Sequence, residues 1–183
     1  MAKHLYLMVG KSASGKTTVA NELETYGFSQ LWSYTTRPKR YEFETGHTFI
    51  SDDEFNKLKN IIAYTEYNGN KYCCTKEQID AADVYVLDVP GVETLLKNYT
   101  TNRMITVFYF DASVRTRIER MINRGDSDNA IISRLYNDEA SDWEDDLMQV
   151  IAQYGHNNVR FVRIDANQSV DVVLDIVYKN MVA

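Results

Sequence analysis

Gly10-Lys11-Ser12-Ala13-Ser14-Gly15-Lys16-Thr17 has the spacing G-x-x-x-x-G-K-[ST]. Glycines at those two places let successive backbone N–H groups turn inward around an anion. The Lys16 ammonium can reach terminal phosphates and the Thr17 hydroxyl can ligate Mg²⁺. A helix starting there points its positive end at the same charge. The apolar run Leu5–Val9 before the loop, and the helical spacing of Thr18–Leu23 after it, supply the strand–loop–helix setting that the motif requires. Gly10, Lys11, Ser12, Ala13, Ser14, Gly15, Lys16, Thr17 and Thr18 are therefore expected to bind the polyphosphate of a nucleotide.

Further residues could complete a phosphoryl-transfer site. Asp88 closes the apolar run Val84-Tyr85-Val86-Leu87. Ligands of a parallel sheet bind beyond the carboxyl ends of its strands, so an acid there can hold Mg²⁺ directly or through water. A helix-capping aspartate is the other reading, and for Asp111, at the end of a second such run, a cap or turn is the leading one. Thr35-Thr36-Arg37-Pro38-Lys39-Arg40 gathers cations in a turn stiffened by proline, and arginine forks match phosphate oxygens. Arg115, Arg117, Arg120 and Arg124 fall on or just past one helix, with Arg120 and Arg124 on one face. A polar break, Gly125–Asn129, and then Arg134 follow. The pattern suits a helical lid over residues 124–136 that brings cations over transferring phosphates. Such chemistry needs positioning and charge neutralisation rather than a nucleophile–histidine pair.

The elements that must hold these groups alternate between strand and helix. Strands are expected at Leu5–Val9, Phe28–Ser33, Val84–Val89, Met104–Asp111 and Val159–Asp165. Helices are expected at Thr17–Tyr26, Gly91–Asn98, Ser113–Asn123, Asn129–Tyr154 and Ser169–Asn180, the last with Ser169 as N-cap. Near-continuous apolar strands separated by helices indicate an α/β fold, a three-layer doubly wound parallel sheet. Residues 34–82 break the rhythm and read as a small α+β insert for a second substrate. Within it, Ser51-Asp52-Asp53-Glu54 is a capping box opening a helix to about Lys59, and Thr75-Lys76-Glu77-Gln78 is another. Asn68-Gly69-Asn70 between two strand-like runs signals a hairpin. Both prolines, Pro38 and Pro90, are expected in loops.

The chain has 183 residues, 44% hydrophobic and 25% charged, which fits one domain over residues 1–183 with a sizeable core. A net charge of −6 argues against a partner nucleic acid or membrane surface. No apolar run approaches membrane-spanning length. Cys73 and Cys74 are adjacent, which builds neither a disulfide framework nor a zinc site. With an N-terminus that opens directly on a strand, the expectation is a cytoplasmic protein, a monomer or small homo-oligomer.

Taken in order, these motifs resemble the guanylate kinase family. The resemblance runs from Leu5 to about Ala140. It is carried by the phosphate loop, Ser33-Tyr34-Thr35-Thr36-Arg37-Pro38-Lys39-Arg40, Tyr67-Asn68-Gly69-Asn70-Lys71-Tyr72, Val86-Leu87-Asp88-Val89, and Ile118–Gly125 with Ser133-Arg134-Leu135. It implies a P-loop NTP hydrolase type of fold and transfer of the γ-phosphate of MgATP to GMP, dGMP or a related (d)NMP. It also implies that Lys16 and Thr17–Thr18 serve ATP, that Thr17 and Asp88 serve Mg²⁺, and that Ser33, Arg37, Arg40 and Tyr72 hold the acceptor. Lys16, Arg37, Arg120, Arg124 and Arg134 would then be the catalytic cations.

The departures from the family pattern concern the acceptor base. Where the family carries a base-reading glutamate, six positions before the hairpin glycine, this chain has Ala63, with Glu66 nearby. Asp88-Val89-Pro90-Gly91 lacks the family's second aspartate. His47 stands in for a tyrosine of the acceptor-phosphate site, so His47 and Glu66 join the candidate acceptor residues. Two other readings stay open: a kinase of a phosphorylated sugar or other small acceptor, and a non-catalytic phosphopeptide-binding module. A GTPase switch would want an N-K-x-D sequence, and the chain has none.

Overall fold

The structure, a computed structural model, describes residues 4–182. In chain order the elements are β1 (Leu5–Val9), α1 (Lys16–Thr25), β2 (Gln30–Leu31), β3 (Ser33–Thr35), β4 (His47–Phe49), α2 (Asp52–Phe55), β5 (Ile61–Tyr67) and β6 (Asn70–Thr75). They continue as α3 (Lys76–Ala81), β7 (Val84–Val86), α4 (Val89–Asn98), β8 (Ile105–Asp111), α5 (Val114–Arg124), α6 (Asp128–Asp138), α7 (Trp143–Tyr154), β9 (Val159–Asp165) and α8 (Val170–Val182).

The main sheet has the order β2-β7-β1-β8-β9 with parallel pairing throughout. Side chains alternate between its faces. Leu5, Leu7 and Val9 of β1, with Ile105, Val107 and Tyr109 of β8, pack on Val92 and Leu95 of α4 and Leu147 of α7. Tyr6 and Met8, with Phe108 and Phe110, pack on Val19 and Leu23 of α1 and on Val173 and Val177 of α8. Helices cover both faces of a parallel sheet, which is the three-layer α/β arrangement.

A second sheet, β4-β3-β6-β5, stands on the β2–β7 side of the chain path and pairs β3 with β4 in parallel and the rest antiparallel. The single strand expected at Phe28–Ser33 is divided between the two sheets. Gln30 and Leu31 pair with β7, and after Trp32 the chain enters the second sheet, where Tyr34 pairs with Cys73. The β5–β6 turn has Asn68 at φ 50° and Gly69 at φ 71°, the positive pair that two-residue hairpins favour. The expected helix to Lys59 stops at Phe55. Lys57 N–H and Leu58 N–H bond three residues back instead of four, and Asn60 then turns to φ 55°.

Three other elements differ from expectation. Pro90 sits in the first turn of α4, where its missing N–H has no helical partner to lose. The run Asn129–Tyr154 is two helices, because Asp142 caps α7 by accepting the Glu144 and Asp145 N–H groups. The acids Glu144, Asp145 and Asp146 thus lie in a first turn, where the helix dipole favours them. Asp111 accepts from Arg163 at 2.6 Å, and Ser113 rather than Asp111 caps α5. Among the described residues no helix is long and apolar enough to cross a membrane.

Candidate functional site

The loop between β1 and α1 is built as an anion cradle. Gly10 has φ 152°, and a Cβ there would lie 2.6 Å from the Phe110 carbonyl oxygen, so only glycine fits. Gly15 has φ 100° and opens α1. That helix has no side-chain N-cap and no acid in its first turn, so its leading N–H groups are left for a ligand. Lys16 Nζ donates to the Lys11 carbonyl at 2.8 Å and to Ser14 Oγ at 3.3 Å. Burial lowers the Lys16 pKa to about 8, with Asp138 the leading opposing charge.

A groove runs from this loop between α5 and the start of α8. Gly15, Lys16, Thr17 and Thr18 line one side, Arg120 and Arg124 another, and Ala166, Gln168 and Val170 a third. Arg120 spans it, donating to the Ser14 carbonyl at 3.1 Å and the Ala166 carbonyl at 2.8 Å. Arg124 holds Asp126 through Nε at 2.9 Å and Nη2 at 2.5 Å, and Arg134 stands 3.5 Å from the same carboxylate. Lys11 reaches Glu139 at 3.2 Å.

On the other side of Lys16 lies a cavity between the two sheets. Ser33, His47, Ala63, Thr65 and Tyr72 come from the second sheet, and Tyr85, Asp88 and Trp143 from the main unit. Asp88 caps α4 by accepting the Gly91 N–H at 2.8 Å, and it accepts the Thr65 hydroxyl at 2.9 Å. Burial raises its pKa against these bonds. The capping reading of Asp88 and its place in the site are therefore compatible.

The basic turn does not line this cavity but stands beside its His47 and Tyr72. Arg37 forks onto Glu44 at 2.7 and 3.2 Å, and Glu44, 7% exposed, also accepts the Arg40 N–H at 2.6 Å. Burial alone would raise the Glu44 pKa, but Arg37 and Arg40 outweigh it and hold the carboxyl low. The Arg40 pKa is lowered first by burial and then by the neighbouring Arg37, Arg134 and Arg124. Cations from the basic turn, the end of α5 and α6 thus converge on one place.

His47 shares a 2.9 Å hydrogen bond with Ser33 and packs edge-on to Tyr72 at 5.6 Å. Burial, then Arg37, lowers its pKa from 6.5 to about 4, so it enters the cavity as a neutral ring. Between pH 6.5 and 4 the unfolded chain takes up a proton on His47 that the folded chain refuses. Stability attributable to this residue is full above pH 6.5 and is lost as the pH falls towards 4, by at most about 3 kcal/mol. Urea denaturation of wild type and His47→Asn at pH 7 and pH 4.5 should show the smaller acid loss in the variant. Parallel losses would place the titration elsewhere.

Glu66 is not in this cavity. Alternate residues of a strand face opposite ways, so Glu66 and Ala63, three apart on β5, lie on different faces. Glu66 is exposed, accepts the Tyr64 hydroxyl and lines the neighbouring cleft beside α4 and α7. It cannot take over from Ala63 without a change of strand register.

A solved structure, guanylate kinase from Anaplasma phagocytophilum, is similar to 98% of this chain and 85% of that one, with a TM-score of 0.56 and 15% sequence identity. The fold is guanylate-kinase-like. No protein-family model and no curated protein matches the chain.

Within this guanylate-kinase-like fold, Glu44 and Asp138 are engaged residues that the sequence reading does not name, and Arg117, grouped there with the lid cations, is instead buried and paired with Asp138 and Glu139. Arg117 and Asp138 form an ion pair at 3.0 Å with both side chains 1% exposed. Periodicity carried a signal for both. Arg117 lies four residues before the fully buried Met121, and Asp138 seven after the buried Ile131, so each shares a buried helical face. A charge on such a face needs a partner.

Proposed function

We propose that this protein is an ATP-dependent kinase of nucleoside monophosphates. The observation that carries the reading is that Lys16 lines both the groove at the N-terminus of α1 and the cavity between the sheets. A lysine shared by two adjoining sites can sit between the terminal phosphate of a donor and an acceptor. ATP in the groove and a monophosphate in the cavity satisfy that arrangement.

The roles follow from the placement. The loop N–H groups and Lys16 hold the donor phosphates in line with the acceptor. Ser33, Arg37, Arg40 and Tyr72, with neutral His47, receive the acceptor phosphate. Arg124 and Arg134 exchange Asp126 for the oxygens of the transferring group, and Arg120 fixes the loop to residues 166–168. Thr17 and Asp88 fit Mg²⁺, a cation that prefers hard oxygen donors and few protein ligands. Each Asp88 oxygen takes a single hydrogen bond among the described residues, which leaves lone pairs available. When bound, the ion neutralises phosphate charge.

The cavity presents the Ala63 methyl where the resemblance places a carboxylate, and Glu66 faces away. A site without that partner for the guanine edge forgoes the strong discrimination that a buried polar reader gives. The acceptor range therefore extends beyond GMP and dGMP to related (d)NMPs. A panel of NMPs and dNMPs with ATP and Mg²⁺, read by ADP release, tests both statements. Turnover is expected with at least one of them, and any preference for GMP is expected to stay below about 100-fold. Turnover with none would sink the reading in favour of a phosphorylated sugar acceptor or a binding module.

A further inference from the structure

Three consecutive residues at the end of α6 each grip a different part of the site. Asn137 Nδ2 donates to Asn68 Oδ1 at 2.7 Å, on the tip of the β5–β6 hairpin. Asp138 Oδ2 accepts the Ser12 N–H at 2.8 Å and Arg117 Nη1 at 3.0 Å. Glu139 accepts from Lys11 Nζ at 3.2 Å and from Arg117 Nη2, while Arg117 Nε is buried without a hydrogen-bond partner among the described residues.

The middle residue is the costly one. Asp138 is 0% exposed and Arg117 1% exposed. Withdrawing two charges from water is unfavourable enough that apolar residues of similar volume often serve stability as well or better. Stability therefore does not account for a carboxylate at this place, whereas its bonding does. The oxygen that Arg117 neutralises is the one that fixes the Ser12 peptide. The other, Oδ1, is buried without a hydrogen-bond partner among the described residues, in a side chain that lines the cavity with Lys16 and Ser12. The next loop residue, Ala13, has φ 60°, which a non-glycine residue keeps only where its surroundings hold it. The anchored Ser12 N–H supplies that hold from one residue away.

We propose that Asp138 is a positioning residue of the phosphoryl-transfer site, which sets the curvature of the phosphate loop through the Ser12 N–H and links it to the docking of α6. Arg117 is its counter-ion. The inference rests on the kinase reading for its turnover effect, but its effect on ATP binding does not require an acceptor.

Two double variants separate position from stability: Arg117→Leu/Asp138→Ala, and Arg117→Leu/Asp138→Asn. Both remove the buried charges together, and only the second keeps an oxygen for the Ser12 N–H. Both are expected to melt within a few degrees of wild type. The alanine form should lose about 10- to 100-fold in MgATP affinity by calorimetry, or in kcat. The asparagine form should return to within about threefold of wild type. An alanine form with wild-type ATP affinity and kcat, or an asparagine form no better than it, would overturn the assignment. So would an alanine form that fails to fold, since the pair would then be a stability element. If wild type turns over no acceptor while the alanine form still loses ATP affinity, the kinase reading fails and this inference stands.

Discussion

Lys16→Ala is expected to lower turnover by about 100- to 1000-fold without lowering the melting temperature. Lys16 Nζ is held by the Lys11 carbonyl and Ser14 Oγ, which aims it at the mouth of the loop and not at a counter-ion. Burial strips water from the ammonium and lowers its pKa to about 8. The sign of the stability effect follows. A depressed lysine pKa means that between pH 8 and 10.5 the unfolded chain binds a proton the folded chain does not, so this group opposes folding below pH 8. Removing it at pH 7 takes away a partly buried cation, and the variant should melt no lower than wild type. Loss of turnover without loss of stability is the signature of a charge kept for a ligand. ADP release and thermal melting on the same preparation check both halves. Turnover within threefold of wild type would mean that the loop binds phosphate without taking part in transfer.

That prediction rests on residues readable in the sequence, because the motif is local. Gly10, Gly15 and Lys16 act through the backbone geometry of one turn, and the apolar run before them forms the strand that sets it. The capping boxes at Ser51 and Thr75 and the Asn68-Gly69 turn were readable for the same reason. Parity along β5 was also readable in principle, and it takes Glu66 away from the Ala63 face. The partners of the cations were not readable. In sequence, Glu44 is an acid in a basic turn and Asp138 an acid at the end of a polar helix. Only the packing of α5 on α6, and of the turn on itself, shows each to be buried against an arginine. Asp126 likewise reads as part of a polar break, and the fold puts it between Arg124 and Arg134. A carboxylate between two arginines spares them the repulsion of like charges held close together.

Arg37→Ala is expected to have two large effects that a second substitution pulls apart. The Arg37 side chain is 11% exposed and that of Glu44 5%. Removing the arginine leaves Glu44 buried with only the Arg40 N–H at 2.6 Å and the Arg40 side chain at 3.7 Å. Breaking a buried pair from one side costs about 3 kcal/mol, and the urea midpoint should fall accordingly. The same change removes the fork beside Tyr72, together with Arg37 Nε, which is buried without a hydrogen-bond partner among the described residues, and acceptor KM should rise at least tenfold. Arg37→Met/Glu44→Met takes out both charges and fills the space. It should regain most of the stability, since apolar replacement of a buried pair is often neutral or better. It should not regain acceptor affinity, since no methionine offers donors to a phosphate. Urea denaturation and acceptor KM on the two variants decide the matter. A double variant that recovers both would make the Arg37–Glu44 pair a brace for the turn and leave Arg40 to meet the acceptor alone. Recovery of stability alone would show one arginine serving both purposes, with Glu44 holding its guanidinium in the orientation that the acceptor phosphate meets.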